Sequence, residues 1–222
     1  MKQNVIIILA SGSPRRKELL TQAGLEFQVI TSEIEEVSRF TEPEKLVCDL
    51  SAQKCTAVAD KLMADMSDKS SGMLELLLAE GTGIMVVSAD TVVSMDGRVL
   101  GKPTSARDAL NSLMSLSGRS HDVYTGVTCK VLRKDMVNSL LYEYDSFTFS
   151  SATEVQMYDF DEYDALDYIA TGEPMDKAGA YGIQGIGERL VKSISGDYNN
   201  VVGFPLSRFI RELKERGYIS YE

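Results

Sequence analysis

The chain has 222 residues, of which 44% are hydrophobic, so it can bury a sizeable core in one large domain or in two lobes around a shared sheet. Its formal net charge of −10 repels nucleic-acid backbones and anionic membranes, so neither is an expected partner. Three cysteines without Cys-x-x-Cys spacing and no apolar run near the roughly 20 residues of a membrane span predict a soluble, cytoplasmic protein with reduced thiols.

The N-terminal segment combines a short apolar run with a small-residue turn and a helix start. Residues 5–10 read as a buried strand that ends at Ser11-Gly12-Ser13, and Pro14 suits the first position of a helix with Ser13 as its N-cap. The cations of Arg15, Arg16 and Lys17 oppose the dipole of that helix, and a bound anion would remove the conflict. We interpret the turn as a phosphate site. An ordinary helix start with solvated arginines is the alternative.

The next elements are predicted to place an acidic pair in a loop and a lysine on a helix. Residues 27–31 are a predicted strand, which is followed by an acidic loop that contains Glu35 and Glu36. A helix is predicted to open at Pro43 and to carry Lys54. The stretch around residues 65–83 reads as a surface excursion that includes a short helix at 73–79.

A continuous apolar run at residues 84–87 is typical of a central buried strand, and it leads directly to Asp90. We therefore expect Asp90 at a strand end near a cleft, where its carboxylate must pair with a cation or a metal ion. A turn or cap residue is the simpler interpretation of an aspartate in that place. Asp96-Gly97 predicts a tight hairpin, after which Lys102 can reach back towards the same strand end.

The second half of the chain mixes helices with long strands. Ser105 and Asp161 are predicted helix N-caps, and Gly118 and Gly172 are predicted helix ends. The predicted strands are 123–132, 140–157 and the glycine-rich stretch 181–186, and Leu206, Phe209, Ile210 and Leu213 predict a final helix against the core. Because strands and helices intermix without strict alternation, the pattern favours an α/β fold with a mixed sheet.

Several charged residues form a set that suits a polyphosphate. Arg15, Arg16, Lys54 and Lys102 would neutralise its charge, while Glu36 and Asp90 would hold a hard divalent cation through oxygen ligands. A metal ion of this kind also activates water, so no histidine mechanism is required. The single histidine, His121, is interpreted as structural.

The motifs of this chain resemble those of the Maf family of nucleoside triphosphate pyrophosphatases. The matching stretches follow the family order from end to end and together are very specific. They are residues 9–16, Glu35-Glu36, Gln53-Lys54, Ala89-Asp90-Thr91-Val92-Val93, Gly101-Lys102-Pro103, residues 116–121, residues 173–185 and Gly196-Asp197-Tyr198. The stretch around residues 61–82 departs from the family because it is longer than in a typical bacterial member.

The resemblance implies a Maf/Ham1-like fold, a long curved sheet with two lobes around a central cleft, in a single domain of residues 1–222. It implies hydrolysis of a nucleoside triphosphate to the monophosphate and pyrophosphate with a divalent cation (Mg²⁺, Mn²⁺ or Co²⁺), and a homodimer. The implied catalytic residues are Asp90, Lys54, Lys102 and Glu36, of which Glu36 and Asp90 hold the metal and Asp90 is also the base. The implied substrate-binding residues are Ser11, Ser13, Arg15, Arg16, Thr91 and Gln184.

The resemblance also indicates the subgroup that acts on dTTP, UTP and modified pyrimidine triphosphates. A carboxamide carries both a donor and an acceptor, so Gln184 can match the O4 and N3–H edge of uracil or thymine. A satisfied polar side chain beside a glycine turn is the plain alternative for Gln184. Two other functions are open at this point: a pyrophosphatase that prefers inosine or other purine triphosphates, and a non-catalytic nucleotide-binding regulator of cell division.

Overall fold

The computed structural model describes residues 2–67, 83–135 and 137–220 of the chain. The strands are β1 (Lys2–Gln3), β2 (Val5–Leu9), β3 (Phe27–Val29), β4 (Gly83–Met95), β5 (Arg98–Leu100), β6 (Ser120–Lys134), β7 (Leu141–Met157), β8 (Val191–Ser195) and β9 (Ile219–Ser220). The α-helices are α1 (Pro14–Gln22), α2 (Pro43–Ser67), α3 (Ala106–Leu116), α4 (Glu162–Ala170), α5 (Tyr198–Val202) and α6 (Leu206–Glu215). Short 3₁₀ helices cover Glu173–Asp176, Ala178–Ala180 and Gly185–Leu190.

Most of the described strands belong to one mixed sheet. Its order is β3-β2-β4-β6-β7-β8, and β5 pairs with β4 outside this path. Strand β2 pairs in parallel with β3 and β4, whereas β6 pairs antiparallel with β4 and β7. The expectation of an α/β fold with a mixed sheet and flanking helices is therefore confirmed.

Strand β4 changes partners along its length, and the change opens the sheet at Asp90. Its pairing with β2 ends at Leu9↔Val87, and its pairing with β5 begins at Val93↔Leu100. Between these points, β6 is the only neighbour of β4 among the described strands. The prediction that Asp90 sits at a strand end is wrong, since β4 continues to Met95. Asp90 nevertheless borders open space because β2 stops before it.

A glycine on the opposite strand brings α2 close to this point. Gly126 of β6 is the cross-strand partner of Asp90, and a Cβ there would lie 2.5 Å from the carbonyl carbon of Val47 in α2. The helix backbone thus rests directly on the sheet. Further along α2, the Ser51 carbonyl accepts a hydrogen bond of 2.5 Å from the Ser88 hydroxyl. Helix α2 is therefore held against the central strands on the same face as the Asp90 side chain.

Apolar side chains form separate buried clusters on the two sides of the opening. One cluster joins the parallel strands to α1 and α6, with Leu20 and Phe209 fully buried. Another packs α3 and α4 against the far ends of β4, β6 and β7, with Leu113 and Tyr168 fully buried. The open stretch of β4 thus lies between two packed regions, each of which holds one side of it in place.

Local predictions at helix ends were mostly confirmed. The Ser105 hydroxyl accepts from the Asp108 N–H at 3.2 Å, and Asp161 forms a reciprocal capping box with Asp164. Ser13 occupies the N-cap position of α1, but its side chain does not cap the helix. Instead, the Ser11 hydroxyl accepts a hydrogen bond of 3.3 Å from the Ser13 N–H.

Two predicted segments have other outcomes. The strand expected at residues 181–186 is wrong, because this stretch is irregular and runs into a 3₁₀ helix. The positive φ angle of Gly185 (77°) excludes a continuous extended strand over these residues. The excursion predicted at residues 65–83, with its short helix at 73–79, lies outside the described residues apart from its ends, where α2 reaches Ser67 and β4 begins at Gly83.

All three cysteines are free, and Cys55 and Cys129 are buried. Burial raises the pKa of the Cys55 thiol to about 12, so this thiol stays protonated and unreactive. Within the described ranges, no helix has the length and apolar character needed to cross a membrane.

Candidate active site

A cleft of about 800 Å³ opens at the stretch of β4 that pairs with β6 only. It is lined by the turn before α1, the loop after β3, helix α2, strand β4 and the segment before the last 3₁₀ helix. All the residues predicted for the site line this one cleft: Ser11, Ser13, Arg15, Arg16, Glu36, Lys54, Asp90, Thr91, Lys102 and Gln184. The structure therefore brings together side chains that are up to 173 positions apart in the sequence, from Ser11 to Gln184 (184 − 11).

Lys54 joins the two carboxylates that were predicted to hold a metal ion. Its Nζ lies 2.6 Å from Asp90 Oδ1 and 2.9 Å from Glu36 Oε2. The side chains of Lys54 and Asp90 are only 12% and 15% exposed, so their charges are shielded from most of the solvent. Charge-assisted hydrogen bonds of this length between partly desolvated groups are strong, and they fix both carboxylates around a single cation.

Helix α2 also holds the loop that carries Glu36. Gln53, the residue before Lys54, donates from Nε2 to the Val37 carbonyl at 2.9 Å. It donates at 2.8 Å to Asp49 as well, which orients the amide. Consecutive residues of α2 thus anchor consecutive residues of the loop, and this places Glu36 opposite Asp90.

Among the residues that the structure describes, Arg16 is fixed by neutral acceptors and makes no ion pair. Its Nε donates to the Gly203 carbonyl at 2.9 Å, Nη1 donates to Ser11 Oγ at 3.0 Å, and Nη2 donates to Thr91 Oγ1 at 3.2 Å. Thr91 Oγ1 lies 2.9 Å from Thr125 Oγ1, which extends the network into the sheet. The guanidinium is therefore rigid, and the hydroxyl of Thr91 is used to support it.

The charge of Arg16 lies near the carboxylates of Asp90 and Glu36 without a direct ion pair to either of them. Burial lowers the pKa of Arg16, the charge of Asp90 raises it, and the charge of Arg15 lowers it again. An arginine does not release its proton under these conditions, so the cost of burial is carried by the charged form. An anion bound in the cleft would compensate that charge.

Arg15 differs from Arg16 because its only ion pair among the described residues is long and exposed. Its Nη1 lies 3.7 Å from Asp176 Oδ2, and the Asp176 side chain is 67% exposed. Lys177 contacts the same carboxylate, with Nζ 2.7 Å from Asp176 Oδ1. Asp176 thus contacts two cations at the mouth of the cleft.

Three predicted residues offer free side chains to the cleft. Within the described part of the chain, the side chains of Ser13, Lys102 and Gln184 make no hydrogen bond or ion pair to the protein. The expectation that Lys102 reaches Asp90 is not met by a direct contact, since Lys102 lies exposed on the cleft wall. These groups are available to a ligand without first breaking a protein contact.

Sequence reasoning gave no role to several residues that the structure places in the cleft. Glu173, Asp176, Lys177 and Tyr181 line it beside Gln184. They belong to the matching stretch 173–185, so the motif was visible, but no pattern of spacing distinguished a wall residue from a loop residue. Their role depends on a non-repetitive backbone that periodicity does not describe.

His121 lies behind this wall and not in the cleft. It is 3% exposed, and its Nε2 lies 2.7 Å from the hydroxyl of Tyr181. Burial lowers the pKa of His121 to about 4, so the ring is neutral near pH 7. This environment agrees with the structural interpretation of His121.

The carboxylates of this site suit a hard cation. Glu36 and Asp90 converge on the single positive charge of Lys54, so their oxygens already form a cation-binding pair. In the described ranges, no group of three or more His, Cys, Asp or Glu side chains forms a complete protein cage. Mg²⁺ is typically held by one or two carboxylates together with substrate phosphates and waters, so the residues present fit such an ion.

Comparison with known proteins gives a consistent result. The family model described as Maf-like protein matches residues 6–216. A dTTP/UTP pyrophosphatase of Bacillus thuringiensis subsp. konkukian is 42% identical over 210 residues, which cover 94% of this chain and 94% of that protein. A dTTP/UTP pyrophosphatase of Bacillus cereus is 43% identical with the same coverage of both chains. A HAM1 protein from Coxiella burnetii aligns over 95% of this chain and 99% of its own, with a TM-score of 0.43 and 14% identity.

Proposed function

Since the chain belongs to the Maf family, we propose that it is a nucleoside triphosphate pyrophosphatase that acts on dTTP, UTP and modified pyrimidine triphosphates. The products are the nucleoside monophosphate and pyrophosphate. The observation that carries the proposal is one cleft in which a carboxylate pair, several cations and a free carboxamide converge. That set supplies what a triphosphate, an attacking water and a pyrimidine base each require.

The triphosphate is proposed to bind between the turn before α1 and helix α2. Arg16 forms a rigid positive floor, because its three hydrogen bonds to Gly203, Ser11 and Thr91 hold the guanidinium in place. The half-buried Arg15 and the exposed Lys102 lie at the rim and contact the phosphates when the substrate binds. Ser11 and Ser13 border the same turn. Phosphoanhydride cleavage depends mainly on positioning and charge neutralisation, and these residues provide both.

Glu36 and Asp90 are proposed to hold a divalent cation (Mg²⁺, Mn²⁺ or Co²⁺). When bound, such an ion neutralises phosphate charge and lowers the pKa of a coordinated water. Lys54, which touches both carboxylates, keeps their negative charges together and contacts the phosphates next to them. The carboxylate of Asp90 takes a proton from the attacking water. The new bond joins water oxygen to the α-phosphorus, and the bond from that phosphorus to the bridging oxygen breaks to release pyrophosphate.

Gln184 is proposed to read the base from the opposite wall. Its side chain has no protein partner in the described part of the chain, so both its N–H donor and its carbonyl acceptor are available to a ligand. Uracil and thymine present an O4 acceptor beside an N3–H donor, which matches a single carboxamide. Cytosine presents an amino donor at the first position and an acceptor at the second, so the same orientation of Gln184 opposes it.

A substrate panel tests the function. Purified protein is incubated with each nucleoside triphosphate and deoxynucleoside triphosphate in the presence of Mg²⁺ or Mn²⁺, and monophosphate and pyrophosphate are quantified. We expect UTP and dTTP to give the highest kcat/KM. A purine-first ranking would replace the proposal with the inosine-type enzyme, and nucleotide binding without turnover would replace it with a non-catalytic regulator.

The remaining expectations from the family are also proposals. We infer a single two-lobed domain from the fact that β4 and β6 contribute to the packed clusters on both sides of the cleft. A homodimer rests on the resemblance alone, and a cytoplasmic location rests on the cysteine content and the short apolar runs of the sequence. Light scattering on the purified protein tests the dimer, because a molar mass equal to one chain of 24.4 kDa contradicts it.

A further inference from the structure

We propose that Glu173 and Tyr168 are positioning residues that set base specificity by fixing the Gln184 segment, defined as residues 182–187. This inference rests on the proposed function, because it assigns the residues through which Gln184 is held for reading the base. Both residues act through Gln184 and not on the phosphates. Hydrogen bonds and close approaches hold this segment at both ends.

The carboxylate of Glu173 binds the C-terminal end of the segment. Its Oε2 accepts from the Ile186 N–H at 3.0 Å, and its Oε1 accepts from the Gly187 N–H at 3.1 Å. Two adjacent backbone donors thus meet the two oxygens of one carboxylate, which leaves little freedom of rotation. Burial opposes the ionised form, but these hydrogen bonds and the one from Tyr168 bring the pKa of Glu173 below its usual value.

The hydroxyl of Tyr168 connects the two ends of the segment. It donates to Glu173 Oε1 at 2.9 Å and accepts from the Gly182 N–H at 3.1 Å. The Tyr168 ring is fully buried in the core next to α3, so the hydroxyl cannot follow a moving loop. Gly182 and Gly187 are therefore held at both sides of Gln184 by one rigid tyrosine–glutamate pair.

The glycines of the segment permit these contacts. A Cβ on Gly187 would lie 2.5 Å from the Tyr168 hydroxyl oxygen, and a Cβ on Gly185 would lie 2.8 Å from Glu173 Oε2. Gly185 also has a φ of 77°, which other residues rarely adopt. The backbone on both sides of Gln184 is thus built for close approach of the pair.

Gln184 itself is the part of this segment that is left free. Its side chain lines the cleft without a protein hydrogen bond in the described ranges, whereas the Glu173 oxygens are occupied by the segment and by Tyr168. Glu173 is therefore already committed as an acceptor. We therefore expect its effect on a substrate to pass through the position of Gln184.

The experiment compares Glu173→Gln and Tyr168→Phe with the wild type and with Gln184→Ala. Glutamine replaces one oxygen with an amino group that faces a backbone N–H, and phenylalanine removes the hydroxyl without changing the ring. Glu188→Gln is the matched control, because it makes the same chemical change at an exposed position of the adjacent 3₁₀ helix. The readouts are kcat/KM for UTP and for CTP, and competitive inhibition by inorganic triphosphate.

We expect the ratio of kcat/KM for UTP to that for CTP to fall about tenfold or more in Glu173→Gln and in Tyr168→Phe, because a small displacement of a recognition group has effects of this size. Inhibition by triphosphate should stay within about twofold of the wild type, since uncoupled sites behave additively. The control should keep the wild-type ratio.

A double-mutant cycle separates positioning from a general structural role. If Glu173 acts through Gln184, the double variant Glu173→Gln with Gln184→Ala should show the same UTP/CTP ratio as Gln184→Ala alone. Additive losses in the ratio, an unchanged ratio in both single variants, or equal weakening of triphosphate inhibition would overturn the inference. Wild-type protein that hydrolyses neither UTP nor dTTP would overturn the proposed function instead, and the inference with it. Tyr168→Phe keeps the test open if Glu173→Gln does not fold.

Discussion

The two walls of the cleft are built in different ways. The wall formed by the turn before α1, helix α2 and the open stretch of β4 presents charged side chains that contact one another, with Lys54 between Glu36 and Asp90. The wall formed by the Gln184 segment presents backbone whose donors are bound to Glu173 and Tyr168. The first wall supplies charged groups, and the second wall holds a backbone segment in one conformation.

This difference assigns different tasks to the two walls. A triphosphate carries the same charge in every nucleotide, so the charged wall is suited to a chemistry that all nucleotides share. A base is distinguished by the position of donors and acceptors, and a rigid backbone can hold Gln184 at one position. Substitutions on the charged wall should therefore change the rate for all substrates, whereas substitutions around the Gln184 segment should change the ranking of substrates.

The largest effect is expected from Asp90→Asn on the charged wall. Removal of a general base typically costs a factor of 10² to 10⁴, so kcat for UTP should fall by about a thousandfold. The ratio of UTP to CTP turnover should not change, because Asp90 does not contact the Gln184 segment in any described hydrogen bond. Steady-state kinetics with Mg²⁺ measures both quantities.

Asp167→Asn is the control for that change, since Asp167 forms an exposed ion pair with Arg189 outside the lining of the cleft. A thermal melt should show that Asp90→Asn remains folded, because Lys54 keeps its contact with Glu36. Turnover within about tenfold of the wild type would exclude Asp90 as the base.

The next largest effect is expected from Arg16→Lys. Lysine cannot make the three directed hydrogen bonds of the Arg16 guanidinium, and the Gly203 carbonyl would keep only its longer hydrogen bond of 3.4 Å from the Thr91 hydroxyl. We expect kcat/KM for UTP to fall about a hundredfold, which is typical of a displaced phosphate-binding group. Arg15→Lys is the matched comparison and should cost less than about tenfold, because its long exposed ion pair is weak. A larger loss of kcat/KM in Arg15→Lys than in Arg16→Lys would show that Arg15, and not Arg16, positions the phosphates.

A third test concerns His121, which supports the other wall through Tyr181. The pKa of His121 is lowered by burial to about 4 from 6.5, so the unfolded state binds more protons than the folded state between these values. Folding stability should therefore fall as the pH decreases from 6.5 towards 4, by about 3 kcal/mol from this residue when the shift is fully expressed. Urea unfolding of the wild type and of His121→Gln at pH 7 and pH 4.5 measures the change.

The variant is expected to lose less stability on acidification than the wild type, because glutamine does not titrate. An equal loss in both proteins would show that other groups account for the acid sensitivity.

The smallest effect is expected at the mouth of the cleft. Asp176→Asn removes the charge that pairs with Arg15 and Lys177, so Arg15 becomes available to phosphate, whereas Lys177 keeps its hydrogen bond to the Glu173 carbonyl. Exposed ion pairs contribute about 0–1 kcal/mol, so KM for UTP should decrease by about twofold to fivefold with little change in kcat. Asp167→Asn serves again as the exposed control. An increased KM would indicate that Asp176 binds substrate directly.

The sequence predicted the charged wall better than the Gln184 segment. Apolar runs identified β2 and the first half of β4, and the residues that follow them in sequence, Ser11 and Asp90, do meet in the cleft. The wrong placement of Asp90 at a strand end arose because an apolar run marks only where a strand is buried on both faces. Strand β4 continues past that point with its β6 partner.

The segment at residues 181–186 could not be predicted in the same way. Its sequence resembles that of a strand, but its conformation depends on the carboxylate of Glu173 and the hydroxyl of Tyr168, which lie outside the segment. The periodicity of a sequence indicates contacts that repeat along a helix or a strand. The contacts of Glu173 and Tyr168 occur once each, so periodicity does not predict them. The pairing of His121 with Tyr181 across 60 residues was invisible for the same reason.

The missing side chain of Gly126 has a consequence for how this protein tolerates variation. A methyl group there would lie 2.5 Å from the backbone of Val47, so helix α2 would have to move away from β6. Lys54 belongs to that helix and would move with it. Gly126, which has no functional side chain, therefore controls the distance between the Lys54 ammonium group and the carboxylates of Glu36 and Asp90. In a deep mutational scan, Gly126 should be as intolerant of substitution as the ionisable residues of the cleft. Intolerant positions would therefore occur in the interior of the sheet as well as around the substrate.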